Sequence, residues 1–152
     1  MRYFAYASNL DPALMREQHR VSFRSRVRAD LPGFRLTFNK PDPAQPGAGR
    51  ANIVGDPRET VQGALYELND TDIERLDEAE GVGDGRYFRT TLLVRRAADG
   101  TLVEAQVYVG TPRGVQNDLR PTREYLTRIL AGRDLLDGEY ADRLAAVPVW
   151  ST

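Results

Sequence analysis

The sequence lacks cysteine and contains a single histidine, His19, among its 152 residues. Without cysteine the chain forms no disulfide and offers no thiolate to a metal ion, and one imidazole cannot build a zinc site alone. No GxSxG motif accompanies His19, so a serine nucleophile of the hydrolase type is not indicated. We therefore expect neither a metal centre nor a disulfide framework.

Long apolar runs are also missing. No stretch of about 18 apolar residues is present, and no basic-then-apolar leader precedes Tyr3. The 21 basic residues nearly balance the 22 acidic ones, which leaves a formal net charge of −1. Such a balance gives no general reason to expect nucleic acid or an anionic membrane as a partner. These absences predict a soluble cytoplasmic protein that binds neither.

What the sequence does contain is enough apolar character for a core, since 41% of its residues are hydrophobic. A chain of this length suits one compact domain, so we expect residues 1–152 to form a single domain. Alternating apolar and polar residues predict strands over 3–8, 21–39, 51–54 and 60–68. The break at Leu31-Pro32-Gly33 predicts that the second of these is two strands joined by a turn.

The second half of the chain predicts three helices and a hairpin. Asn69 is the expected N-cap of a helix that ends at Gly81, and Thr122 is the expected cap of another. A last helix precedes Pro148, and a hairpin joins two strands at 87–96 and 101–110. This order is not the regular alternation of a doubly wound sheet, so it predicts an α+β protein with a meandering or barrel-like sheet.

An acidic cluster, formed by Asp77, Glu78 and Glu80, lies at the end of the first of these helices. A helix C-terminus disfavours carboxylates, and Asp77 and Glu80 share a face with the apolar stripe of the helix. Burial, a like-charged neighbour and the helix dipole would each raise the pKa of such a carboxyl group toward the range of general acid–base catalysis. The alternative interpretation is a solvated acidic helix end.

Two further features are weaker when they are considered alone. The segment "AYASN" at 5–9 ends a strand in small residues, so its turn can present backbone N–H groups to an anion or an oxyanion. Tyr87 opens a strand after a glycine-rich link, and Tyr125 lies in the first turn of its helix. Each tyrosine is either a core aromatic residue or part of a pocket wall.

Taken together, "YFAYASNL" at 3–10, "LDEAEGVGDGRY" at 76–87 and "PTREYL" at 121–126 resemble the γ-glutamylcyclotransferase-like family, including its AIG2-like and γ-glutamylamine branches. The three motifs occur in the family's order and span most of the chain. The resemblance implies a small mixed β-barrel or strongly curved sheet flanked by helices. Ala7 departs from the family pattern, because glycine is commonest at that position.

The resemblance also implies a reaction and its site. The substrate's own α-amino nitrogen attacks its γ-glutamyl carbonyl, which releases 5-oxoproline and an amine or amino acid without a cofactor. Glu80, directly before Gly-Val in the second motif, corresponds to the family's catalytic acid and base. The expected substrate-binding residues are those of the first motif and two tyrosines: Tyr3, Phe4, Ala5, Tyr6, Ala7, Ser8, Asn9, Tyr87 and Tyr125.

Three alternatives stay open from the sequence. The first is a non-catalytic module that binds a γ-glutamyl compound or another small metabolite on the same fold. The second is an enzyme of this fold that acts on a different γ-glutamyl compound, since the sequence does not identify the leaving amine. The third is an interaction protein whose arginine-rich strand at 24–28 binds an acidic partner.

Overall fold

A computed structural model describes residues 1–151 of the chain. It contains a closed barrel of five strands, flanked by three short α-helices. The elements in chain order are β1 (Arg2–Ala5), β2 (Phe23–Pro41), β3 (Gly49–Leu68), α1 (Ile73–Ala79), β4 (Tyr87–Arg96), β5 (Leu102–Gly110), α2 (Arg123–Leu130) and α3 (Gly138–Ala145). The predicted α+β class and the small mixed barrel are confirmed.

The strands lie in the order β1-β3-β2-β4-β5, and β5 closes the barrel on β1. Every pairing is antiparallel except the closing one, in which Tyr3 lies opposite Gln106 in parallel. The predicted hairpin is confirmed by the pairing of β4 with β5 from Tyr87 opposite Gly110 to Arg95 opposite Leu102. Because the barrel is closed, β1 is not an edge strand. It carries the start of the first motif and lies between β3 and β5.

The predicted turn at Leu31-Pro32-Gly33 is wrong, because β2 continues through it. The partners of β2 jump from Thr60 opposite Pro32 to Gly55 opposite Phe34, so the four residues between them bulge out of β3. Gly33 accommodates this shift with a φ of 84°. The apparent break between 51–54 and 60–68 is therefore also internal to one strand, β3.

The start of α1 differs from the prediction as well. The helix begins at Ile73 with Asp72, not Asn69, as its N-cap residue. The buried Asp72 carboxylate accepts a hydrogen bond from Ser22 N at 3.1 Å, which ties the helix start to the segment before β2. Gly81 follows the helix with a φ of 67°, as predicted. The Thr122 cap of α2 is confirmed, since its hydroxyl accepts from Tyr125 N at 3.0 Å.

The core has two parts, on opposite faces of the sheet, because neighbouring residues of a strand point to opposite sides. Phe4 and Leu65 belong to the part that fills the barrel with strand residues. Tyr3 and Tyr66 belong to the part that the helices cover, together with Leu76 of α1. Gly63 lies where β3 approaches Ala5, and a Cβ at this position would overlap the Ala5 carbonyl oxygen, so the close approach requires glycine.

Within the described part of the chain, the helices are all too short or too polar to cross a membrane.

Candidate active site

The site lies where the turn after β1, the end of α1, the start of β4 and the first turn of α2 meet. A cleft with a volume of about 590 Å³ opens there, and its wall includes Ser8, Asn9, Glu80, Tyr87 and Tyr125. A small inner cavity of about 20 Å³ continues toward the barrel. It is lined by Tyr3, Tyr6, Ala7, Ser8, Asn9, Ala51, Glu80, Tyr87, Tyr108 and Tyr125. The tertiary structure thus brings most of the predicted site residues together.

Phe4 and Ala5 are the exceptions among the predicted binding residues. Phe4 is fully buried in the barrel interior, and Ala5 packs in the part of the core beneath the helices. Neither residue lines the cleft or the inner cavity. Side chains alternate along β1, so Phe4 lies in the barrel interior and Ala5 lies beneath the helices, and both contribute to packing.

Glu80 follows the last residue of α1, and its backbone N–H donates to Leu76 O at 2.8 Å. Its carboxyl oxygen Oε1 accepts a hydrogen bond from Asn9 Nδ2 at 3.2 Å. The residue is partly accessible from the cleft, yet protein surrounds the carboxyl group closely enough for desolvation to raise its pKa to about 7. The positive charges of Arg50 and Arg86 and the Asn9 hydrogen bond oppose that rise.

This explanation differs in part from the one drawn from the sequence. A like-charged neighbour and the helix dipole were expected to raise the pKa of a carboxyl group in the acidic cluster, along with burial. In the structure burial is the cause, and the charges that act on Glu80 are cations. Asp77 instead pairs with Arg89, and Glu78 is exposed, so the solvated-end interpretation fits Glu78 alone.

Asn9 connects Glu80 to two other side chains. Its Nδ2 also donates to the Tyr3 hydroxyl at 2.9 Å, and its Oδ1 lies 2.9 Å from His19 Nε2. Because the amide nitrogen has two acceptors, the amide oxygen is the acceptor that faces His19, and Nε2 must carry the hydrogen. Burial lowers the pKa of His19, which favours the neutral ring in that tautomer.

The turn after β1 lines the inner cavity with Ala7 and Ser8. Ala7 has a φ of −133° and a ψ of −128°, so it lies outside the positive-φ range that favours glycine. The carbonyl groups of Ala7 and Ser8 accept from Leu10 N and Asp11 N at 2.9 and 3.1 Å. Within residues 1–151 the N–H groups of Ala7 and Ser8 have no acceptor, so both remain available to an anionic or carbonyl oxygen.

Three other tyrosines of the inner wall have hydroxyls that are hydrogen-bonded to backbone groups. The Tyr87 hydroxyl donates to Ala51 O at 2.6 Å, and the Tyr125 hydroxyl accepts from Ala51 N at 3.1 Å. The Tyr6 hydroxyl donates to Tyr108 O at 2.6 Å. Burial raises the pKa of Tyr6, Tyr87 and Tyr125 well above 10, so the wall stays neutral at physiological pH.

Sequence reasoning missed three residues that matter to this site: His19, Arg50 and Arg86. From the sequence His19 was considered as a metal ligand and as the partner of a serine nucleophile, and not as a hydrogen-bond partner of Asn9. Arg50 lines the cleft, and Arg86 lies against Gly81, where a Cβ would overlap its guanidinium group. Arg86 lies in the second motif, directly before Tyr87, whereas nothing in the sequence distinguishes Arg50 from the other arginines of the chain.

Comparison with known proteins agrees with this geometry. A model of the AIG2-like family matches residues 60–144, which is more than half of the chain. A solved gamma-glutamyl cyclotransferase is 25% identical, with a TM-score of 0.88 over 100% of this chain and 90% of that one. An uncharacterized protein from Homo sapiens is 26% identical, with a TM-score of 0.83 over 99% and 89% of the two chains.

A glutathione-specific gamma-glutamyl cyclotransferase from yeast is 14% identical and shares the fold, with a TM-score of 0.67 over 95% of this chain and 93% of that one. No curated protein sequence is significantly similar to the chain. The family model covers both the helix that ends at Glu80 and the strand that begins at Tyr87. With the barrel and the cleft described above, these findings show that the chain belongs to the AIG2-like, γ-glutamylcyclotransferase-like family.

Proposed function

We propose that the protein is a γ-glutamyl cyclotransferase that releases 5-oxoproline and an amine or amino acid from a γ-glutamyl compound. The observation that carries this proposal is the Glu80 carboxyl group, which faces a cleft and has its pKa raised to about 7 by burial. A group with this pKa both accepts and donates protons near neutral pH. A single residue needs this property to act first as the base and then as the acid.

The reaction is an intramolecular aminolysis. Glu80 accepts a proton from the substrate's α-ammonium group, and the freed amine attacks the γ-carbonyl carbon to form the ring C–N bond. Glu80 then returns a proton to the leaving nitrogen as its bond to the γ-carbon breaks. Overall two protons pass from the α-nitrogen to the leaving nitrogen, which departs as an ammonium group. The α-amine is the nucleophile, so the chemistry needs no enzyme nucleophile and no cofactor.

The turn after β1 provides the complementary half of the site. In this proposal the free N–H groups of Ala7 and Ser8 bind the substrate carboxylate or the oxyanion that develops on the γ-carbonyl. The neutral tyrosine wall excludes water and folds the γ-glutamyl chain so that its two ends meet. Binding holds the amine beside the carbonyl, so the conformational entropy that ring closure costs is already lost before the bond forms.

The test is a panel of γ-glutamyl peptides, γ-glutamylamines and glutathione, with released 5-oxoproline measured by mass spectrometry. Glu80→Gln should lower kcat by at least about a hundredfold on every active substrate, which is the usual scale of general acid–base catalysis. Asp77→Asn is the matched control, because it removes a carboxylate one helical turn away and should keep activity within about threefold. Turnover retained in Glu80→Gln would disprove the assignment of the base.

Binding without turnover would indicate the other function considered from the sequence. If the panel yields no 5-oxoproline and calorimetry detects a γ-glutamyl compound bound to the wild-type protein, the chain is a binding module on this fold. Because the raised pKa of Glu80 has no evident use in simple binding, the structure favours the enzyme.

A further inference from the structure

A second cleft, lined by more cationic than acidic side chains, lies beside the candidate active site. It has a volume of about 350 Å³, and Asp42, Arg50 and Tyr87 line both clefts, so the two share a wall. We call it the cationic cleft, because four cationic side chains and two carboxylates line it: Lys40, Arg50, Arg86, Arg113, Asp42 and Asp84.

The carboxylates of the cationic cleft compensate its cations only weakly. Arg50 Nε lies 3.6 Å from Asp42 Oδ2, and Arg86 Nη2 lies 3.9 Å from Asp84 Oδ2, both beyond good hydrogen-bond distance. The Nε atoms of Arg50 and Arg86 are buried and have no hydrogen-bond partner. A buried polar group without a partner costs free energy, so an acceptor that reached these arginines would recover part of that cost.

Lys40, the only lysine of the chain, strengthens the positive charge. Its side chain is 4% exposed, and its Nζ donates to the backbone oxygens of Thr111 and Arg113 at 2.9 and 2.6 Å. No carboxylate of residues 1–151 lies within 4.0 Å of this ammonium group. A buried cation that is bound only by neutral oxygens leaves a net positive field in the cleft.

The cationic cleft is also close to the reacting groups. Arg86 packs against Gly81, the residue after Glu80, because Gly81 has no side chain to displace it. Tyr87 forms part of the inner cavity and of the cationic cleft, and Lys40 Nζ lies 6.0 Å from its ring centroid. A leaving group that extends from Glu80 through the larger cleft and past Arg50 and Tyr87, which line both clefts, would reach the cationic cleft.

We propose that the cationic cleft is a binding site for a carboxylate, separate from the inner cavity and formed by Arg50, Arg86 and Arg113 over the field of Lys40. The carboxylate has two chemical sources, the leaving group of a γ-glutamyl substrate or a free carboxylic acid in solution. The first source rests on the proposed function and would make these arginines determinants of specificity. The second source requires no turnover.

A matched substrate pair tests the first source. γ-Glutamyl-alanine and γ-glutamyl-alaninamide differ only in the leaving group's carboxylate, so the wild type should show a KM about tenfold lower for the acid, as a charge-assisted hydrogen bond allows. Arg113→Gln should raise the KM for the acid by about tenfold, with kcat and the KM for the amide nearly unchanged. Arg58→Gln, on the exposed bulge of β3, is the control with the same change of charge.

The second source is tested without catalysis. Calorimetric titration of the Glu80→Gln variant with the acid, the amide and free alanine measures binding where no turnover occurs. Tighter binding of the acid than of the amide supports the substrate source, and binding of free alanine that Arg113→Gln abolishes supports the free source. Equal affinity of acid and amide, together with no binding of alanine, would overturn the proposed site.

The two proposals fail in different ways. If 5-oxoproline is released from acid and amide with the same KM, the cyclotransferase proposal stands and the leaving-group source is excluded, and the site itself is disproved if free alanine also fails to bind. If neither substrate yields 5-oxoproline, the proposed function fails, and the calorimetric measurements still decide whether the cationic cleft binds a carboxylate.

Discussion

Two carboxyl groups one turn apart on α1 have opposite surroundings. Asp77 Oδ1 accepts from Arg89 Nε at 2.9 Å and from the Tyr108 hydroxyl at 2.6 Å. Glu80 accepts from a neutral amide, Asn9 Nδ2, at 3.2 Å, and its cations act only from a distance. A guanidinium group in direct contact stabilises the charged form of a carboxyl group, whereas burial beside an amide leaves both forms accessible.

The surroundings of Asp77 are structural. Arg89 also donates to Gln106 Oε1 at 2.7 Å, and Gln106 Nε2 donates to the Thr91 hydroxyl at 2.8 Å. This chain of hydrogen bonds joins α1 to the β4–β5 hairpin on a half-exposed surface. The residues around Glu80 instead face two clefts and one inner cavity. The comparison teaches that position on a helix does not decide what a carboxyl group does, and that its contacts do.

The largest effect that would test this comparison is on stability. Burial raises the pKa of Glu80 to about 7 from its ordinary 4.5, so the stability that its neutral form provides is complete below about 4.5 and is lost as pH rises through about 7. Glu80→Gln removes this pH-dependent loss of stability, because the glutamine side chain stays neutral. We expect the variant to exceed the wild type by up to about 3 kcal/mol at pH 8, with almost no difference near pH 4.5. Urea unfolding at both pH values measures it.

Asp77→Asn is the counterpart in the same experiment. It removes the charge that pairs with Arg89, so we expect a loss of about 1 kcal/mol that is nearly the same from pH 6 to pH 9. Changes of opposite sign in the free energy of unfolding of the two variants at pH 8 would support the contrast between Glu80 and Asp77. A gain in stability that Glu80→Gln shows equally at pH 4.5 and pH 8 would contradict it.

A smaller effect concerns the amide that holds Glu80. The hydrogen bond from Asn9 lowers the pKa of Glu80, so its loss in Asn9→Ala should move that pKa upward. In the wild type, kcat/KM for an active γ-glutamyl substrate should rise with pH through about 7 as the base ionises. We expect Asn9→Ala to shift this midpoint to higher pH and to lower kcat/KM at pH 7 by about tenfold. Asn69→Ala, on an exposed turn, is the control, and an unshifted profile would exclude Asn9 as a positioning residue.

The smallest effect is expected at His19, which acts on Glu80 only through Asn9. The bond from its Nε2 to Asn9 Oδ1 keeps the amide nitrogen turned toward Glu80. We expect His19→Ala to lower kcat/KM by a few-fold and to move the pH midpoint in the same direction as Asn9→Ala, because one neutral hydrogen bond is lost. His19→Gln keeps an N–H donor and should restore most of the rate. Equal losses in the two variants would contradict the hydrogen-bond role assigned to His19.

Local patterns predicted much of the fold. The sequence predicted the hairpin of 87–96 with 101–110 and the Thr122 cap, because hairpin pairing and capping depend on residues close in sequence. The continuity of β2 through Pro32 and Gly33 was not predicted, because the barrel holds the two segments in one strand with a bulge in its partner. Tertiary pairing overrides a local turn signal where a neighbouring strand takes up the extra residues.

The candidate site divides in the same way. The sequence placed an unusual carboxyl group at a helix end, and its resemblance to a family identified Glu80 and the turn around Ala7. The roles given to these residues stay predictions until the variants are measured. Alternation along β1 places Phe4 and Ala5 on opposite faces of the sheet, and only the tertiary structure shows that the core covers both faces at these positions.

The sequence by itself determined the elements, the family and the chemical type of the candidate base, because these are written in residue type and spacing. Only the tertiary structure decided that Asn9 contacts Glu80 and that His19 contacts Asn9. It also decided that Lys40 and three arginines line one cleft. Within each group those residues are 10 to 73 positions apart, and a pKa or a cleft depends on distances in space. Closing the barrel set these distances, and with them the contrast between Asp77 and Glu80.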